Sequence, residues 1–98
     1  MIRVILPFHL ANLAGVQREI EVQASENISI ESLLGTIESN YPSLLGTIRD
    51  QVSKKRRPFV RYFACQEDYS HLPTTTQLPH SVVIGKEPFI ILGAISGG

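Results

Sequence analysis

Apolar and polar residues alternate with a period of two near both ends of the chain and take a helical period in between. Ile2, Val4, Leu6 and Phe8 alternate with Arg3, Ile5 and Pro7, which predicts a strand over residues 2–8 with the first set facing a core. Ala11 to Gly15, with Asn12 and Gly15, predicts a turn. Over residues 16–22, Val16, Arg18, Ile20 and Val22 oppose Gln17, Glu19 and Glu21, so a second strand completes a hairpin with one polar face, as an exposed edge requires. Ile30, Leu33, Leu34, Ile37 and Tyr41 then recur at helical spacing, behind Ser29 as N-cap and with Glu31 in the first turn, where the helix dipole favours an acid. Pro42 stops this helix near Asn40. Gly35 within it implies close packing against a sheet, and Leu44, Leu45 and Ile48 predict a short helical turn closing one end of the core.

The second half is extended again. Phe59 to Cys65 predicts a strand with Val60, Tyr62 and Ala64 on one face and Arg61, Phe63 and Cys65 on the other. Gln66 to Asp68 reads as a polar turn, residues 69–81 as loop with at most one short strand, and Val82 to Ile84 as extended. Gly85-Lys86 turns the chain into a last apolar strand, Phe89 to Leu92. The first and last strands are the most apolar, which places them side by side in the sheet centre with the helix as crossover on one face. The other face then presents Ile5, Phe63 and Ile90, an apolar patch of the kind that docks a partner.

Composition changes this picture little. The 98 residues make one domain, with a boundary expected between a body, 1–92, and a tail, 93–98. Nine basic residues balance nine acidic ones, so no net field favours nucleic acid or membrane. Arg49, Lys54, Lys55, Arg56 and Arg57 form a basic run that reads first as a solvated loop and second as a patch for an acidic partner or a phosphate. The single cysteine, Cys65, excludes an internal disulfide and, with no leader or membrane span recognisable, points to the cytoplasm. His9, His71 and His80 share no ligand spacing, no Ser-His-Asp pattern or phosphate-cradling loop occurs, and Glu67 and Asp68 are adjacent and face apart, so neither a metal site nor independent catalysis is expected. What remains is the end of the chain: Gly93, Ala94, Ile95, Ser96, Gly97 and Gly98, small residues apart from Ile95, able to lie extended in a narrow channel.

The element order, the Ile2-to-Leu6 strand with Pro7 and the Gly15 turn, the helix ending Asn40-Tyr41-Pro42, the Phe59-Val60 strand followed by Gln66-Glu67-Asp68, and the final Ile95-Ser96-Gly97-Gly98 together resemble the ubiquitin-like sulfur carriers of the β-grasp superfamily. That family includes the molybdopterin-synthase small subunit, the thiamine-biosynthesis carrier and the carriers of a cysteine-synthesis route; the length and the loop before Phe59 look most like the cysteine-synthesis type or a protein-modifier relative. The chain departs from the family's usual residues at Arg61 or Cys65, at Lys86 and at Gly93. The resemblance implies an α+β, ubiquitin-like β-grasp fold with a mixed four- to five-stranded sheet and one main helix on one face. It implies no cofactor of its own, an E1-like activating enzyme that uses ATP to adenylate Gly98, conversion of Gly98 to a thiocarboxylate, and presentation through Ile95, Ser96 and Gly97. The sulfur acceptor would be an enzyme such as a molybdopterin-synthase large subunit or a cysteine synthase. A modifier conjugated to lysines and a non-covalent β-grasp adaptor stay open beside it.

Overall fold

The structure, a computed structural model, describes residues 1–23 and 27–93. Five strands form one mixed sheet: β1 (Ile2–Ile5), β2 (Glu19–Val22), β3 (Val60–Ala64), β4 (Glu67–Asp68) and β5 (Phe89–Gly93), in the spatial order β2-β1-β5-β3-β4. β1 and β5 run parallel near the middle, with Val4 opposite Phe89 and Ile5 opposite Ile90, and every other pairing is antiparallel. Helix α2 (Ile30–Asn40) covers one face. Its start follows the expected chemistry, since the Ser29 hydroxyl accepts from the Ser32 N–H at 3.2 Å and Glu31 stands in the first turn. Ile30, Leu33, Leu34 and Ile37 are buried against Ile2, Val4, Val22, Tyr62, Phe89 and Ile91 in a single core. This is the ubiquitin-like β-grasp fold.

Several local expectations are corrected. The first strand ends at Ile5, and helix α1 (Phe8–Ala14) replaces the expected strand end and turn. Pro7 has no N–H for the ladder, and its carbonyl instead accepts from Leu10 and Ala11 at 3.1 and 3.0 Å, which starts a helix that Gly15 closes at a φ of 69°. Leu10 and Ala11 are buried, whereas Phe8, expected in the core, is 64% exposed. Residues 82–84 are not extended: α3 (His80–Val83) starts on the Pro79 carbonyl and buries Val82, so packing overrides the β propensity of Ser81-Val82-Val83-Ile84. The tight turn is Cys65-Gln66 alone, both at positive φ as a two-residue hairpin requires, and Glu67–Asp68 pairs back as β4. Pro42–Leu44 forms the expected short helical turn and Leu44 and Ile48 are buried, but Leu45 faces outward. A side chain at Gly35 would meet only the Arg49 guanidinium, at 3.8 Å, so this glycine marks no close approach to the sheet.

The basic run is largely internal architecture. Arg49 is 6% exposed and forms a two-pronged pair with Glu38, which is 5% exposed, at 3.0 and 2.8 Å. Those hydrogen bonds outweigh desolvation and hold the guanidinium's pKa above its ordinary value, so the cation is retained. Arg56 donates to the carbonyls of Ser70, Arg57 and Val60, and Arg57 to that of Gly46. Only Lys54 and Lys55 of the run are fully exposed. Removing one member of a buried pair strands the other charge and costs about 3–5 kcal/mol. Arg49→Met is therefore expected to lower the urea midpoint sharply, while Lys54→Ala changes stability by less than about 0.5 kcal/mol.

Candidate functional site

Strand alternation separates a buried face from an open one. On the central strands Val4, Phe89, Ile91, Val60 and Tyr62 turn inward, leaving Ile5, Ile90 and Phe63 half-buried on the opposite side. The register does more than place them on one face. Ile5 is opposite Ile90, and Ile90 is opposite Phe63, so the three form one row straight across β1, β5 and β3. Leu92, 43% exposed and opposite Arg61, extends the apolar surface toward the end of β5. Beside the row, Cys65, Gln66, Glu87 and Pro88 wall a shallow depression whose floor is Phe63 and Ile90.

An ion pair flanks this surface on each side, and sequence reasoning found neither. Arg3 bonds Glu19 at 3.1 Å and also donates to the carbonyls of Gly85 and Lys86 at 2.7 and 3.1 Å, tying β1, β2 and the approach to β5 together. Gly85 itself sits at a φ of 84° with the Met1 carbonyl oxygen 2.8 Å from where a Cβ would stand, so a side chain is excluded there. On the other side Arg61 bonds Asp68 at 3.3 Å and approaches the His71 ring at 3.2 Å. Hydrogen bonding from Ser70, hydroxyl first and backbone N–H second, with Arg61 adding a smaller Coulombic share, holds the Asp68 carboxyl below its ordinary value of 3.8. The alternation of Arg3 and Arg61 with core residues was visible; their partners, on other strands, were not.

At the end of β5 a second feature appears. Gly93 is the last described residue and pairs with Val60. Around it lie Pro7, His9, Arg18, Phe59 and Arg61, with Phe8 and Phe59 exposed at the rim. The residues expected to carry the chemistry, Ile95, Ser96, Gly97 and Gly98, lie outside the described residues. Among the described residues no group of three or more histidine, cysteine or carboxylate side chains gathers as a metal site would need. The sulfur of Cys65 lies 3.3 Å from the Ser81 hydroxyl. No helix among the described residues is long and apolar enough to cross a membrane.

No family model and no curated protein matches the chain. Solved structures do. SAMP1 from Haloferax volcanii superposes with a TM-score of 0.76 at 15% identity, over 99% of this chain and 98% of that one. CysO from Mycobacterium tuberculosis gives 0.74 at 23% identity, over 97% and 100%. The BexX/CysO complex of Amycolatopsis orientalis contains a chain that gives 0.75 at 16% identity, over the whole of both. At these identities the likeness establishes the shared β-grasp fold, end to end, and meets the resemblance read from the residues.

Asp68 ties the open face to its own pH dependence. A carboxylate whose pKa is lowered on folding stabilises the fold above its ordinary value and loses that contribution as pH falls through the lowered one. Asp68→Asn is therefore expected to melt below the wild type at pH 7, with the difference closing as the pH drops below 3.8, followed by thermal unfolding at stepped pH.

Proposed function

We propose that this chain is a ubiquitin-like sulfur carrier activated at its C-terminus. The observation that carries the reading is a β-grasp body whose central strand β5 runs on, after Gly93, into Ala94-Ile95-Ser96-Gly97-Gly98. The body docks on an E1-like activating enzyme through the Ile5–Ile90–Phe63 row, and the narrow tail reaches the enzyme's ATP. The Gly98 carboxylate attacks the α-phosphorus, pyrophosphate leaves, and the acyl-adenylate gains AMP as a leaving group. Hydrosulfide supplied by the sulfur donor then attacks the carbonyl, AMP departs with the bonding pair, the S–H proton passes to solvent, and Gly98 holds a thiocarboxylate. Every chemical group except the carboxylate comes from partners; the carrier contributes presentation, which converts a bimolecular encounter into a positioned reaction. The acceptor belongs to cysteine or cofactor synthesis, and the BexX/CysO complex is a precedent for a chain of like fold held by another protein.

A second reading is conjugation to lysines. It shares the acyl-adenylate and draws on the likeness to small archaeal modifier protein 1 of H. volcanii, with a TM-score of 0.71 at 11% identity. Two measurements decide between them. After incubation with ATP, a cognate activating enzyme and a sulfur donor, the intact mass should rise by the exchange of one oxygen for one sulfur; no change with a verified cognate enzyme sinks the carrier reading. Recovery from cells of lysine conjugates that vanish on deletion of Gly97-Gly98 would establish conjugation instead.

Docking has a separate test. A charge in the apolar row leaves a desolvated ion at the centre of the interface, so Ile90→Asp, and the more exposed Leu92→Asp as a gentler variant, should raise the KM for the carrier in adenylation by on the order of a hundredfold. A folded variant adenylated at wild-type efficiency removes this face from the docking role.

A further inference from the structure

The tail begins where the sheet loses a strand. β1 pairs with β5 only at Val4–Phe89 and Ile5–Ile90, while β5 continues to Gly93 with β3 alone. Pro7 turns the chain that follows it into α1, and the place beside β5 that β1 would have filled is taken by Pro7 and His9. The fit is close. A Cβ on Gly93 would stand 3.0 Å from His9 Cε1, 3.6 Å from His9 Nε2 and 3.4 Å from Pro7 Cγ. Gly93 is not among the positive-φ glycines, so what disfavours a side chain here is the neighbouring ring, which would have to give by a few tenths of an ångström.

The ring is held by that fit. His9 Nδ1 is withdrawn from solvent and has no hydrogen-bond partner among the described residues. With no partner for Nδ1 among the described residues, the ring's orientation rests on its packing beside Pro7 and Gly93 and not on a polar contact of that nitrogen. His9 sits in the first turn of α1, whose Leu10 and Ala11 are anchored in the core, so the ring is mounted on a rigid base. Gly93 thus has the imidazole over the position a Cβ would take and pairs with Val60 of β3.

We infer that His9 is a positioning residue for the tail: its imidazole, seated on Gly93, sets the place and direction from which residues 94–98 leave the body. The inference rests on the carrier reading above and deepens it. Docking on the open face fixes the body, and the contact at Gly93 converts that placement into placement of the reacting carboxylate. A loosened start of the tail leaves docking intact and makes the productive geometry rarer.

The test is ATP–pyrophosphate exchange with the cognate activating enzyme at varied carrier concentration, on wild type, His9→Ala, His9→Phe, Gly93→Ala and the His9→Ala/Gly93→Ala pair. Misplacement by about 1 Å can cost on the order of a hundredfold, so His9→Ala should lower kcat by roughly tenfold with KM unchanged, and His9→Phe, which restores a flat ring, should recover most of it. Gly93→Ala should lose at least as much. The pair should be less impaired than the two losses combined, because the new methyl occupies space the ring vacated. Wild-type kcat in His9→Ala, a change confined to KM, or strictly additive losses would each overturn the inference. Backbone relaxation at the Gly93 amide gives a readout independent of the enzyme: an order parameter near the rigid value of about 0.85 should fall in His9→Ala, and an unchanged value overturns the positioning role. If wild type supports no exchange with an enzyme proven on its own carrier, the carrier reading fails, and the Gly93 amide still decides the role of His9.

Discussion

The parallel pairing of β1 with β5 is the constraint on which the rest depends. Two parallel neighbours cannot be joined by a tight turn, so the chain between Ile5 and Phe89 has to travel away and return. Everything in that interval serves the return. β2 pairs β1 on its outer side, α2 crosses the buried face, and β3 arrives on the far side of β5 with β4 as its short cover. The parallel pair also brings the two apolar strands β1 and β5 together, so that Ile5 and Ile90 share a register position.

Several charges are neutralised close at hand. Glu38 and Arg49 neutralise each other in the interior, Arg3 and Glu19 pair at one flank of the open face, and Arg61 and Asp68 at the other. Arg56 and Arg57 satisfy carbonyls in the long connection between α2 and β3. The connection is consequently a built structure: Asp50 accepts from the N–H groups of Val52 and Ser53, and Ile48 is fully buried beneath it. A run that looked like solvated charge is mostly the framework that lets a loop without long helices or strands hold its shape.

Much of this was legible in the residues because period and punctuation agree there. Ser29, the Ile30–Ile37 stripe and Pro42 bound α2 correctly, and alternation alone placed Ile5, Phe63 and Ile90 on one face. Alternation misled at Phe8, where the two-residue period continued past a proline that had already ended the ladder; the spacing of Leu10, Ala11 and Ala14 was the helical signal competing with it. It misled again at Val82, where β-branched residues fold as a short helix on Pro79. The buried pair had a visible half, since Glu38 lies four residues after Leu34 on the apolar stripe, but its partner comes from a loop and no local rule names it. His9 was read only as a failed metal ligand. Its contact with Gly93 joins residues 84 apart and exists only once β1 and β5 lie side by side.

The self-contained ion pairs at the flanks of the open face bear on how fast a partner can arrive. Their charges are largely cancelled within the chain, and the nine basic and nine acidic residues sum to zero, so little long-range field reaches a partner before contact. For the docking proposed above, association should therefore proceed at the unsteered rate, about 10⁵–10⁶ per molar per second, and change little with ionic strength. Discrimination between partners then falls to how well a surface fits the Ile5–Ile90–Phe63 row, which is expressed in how slowly the complex dissociates.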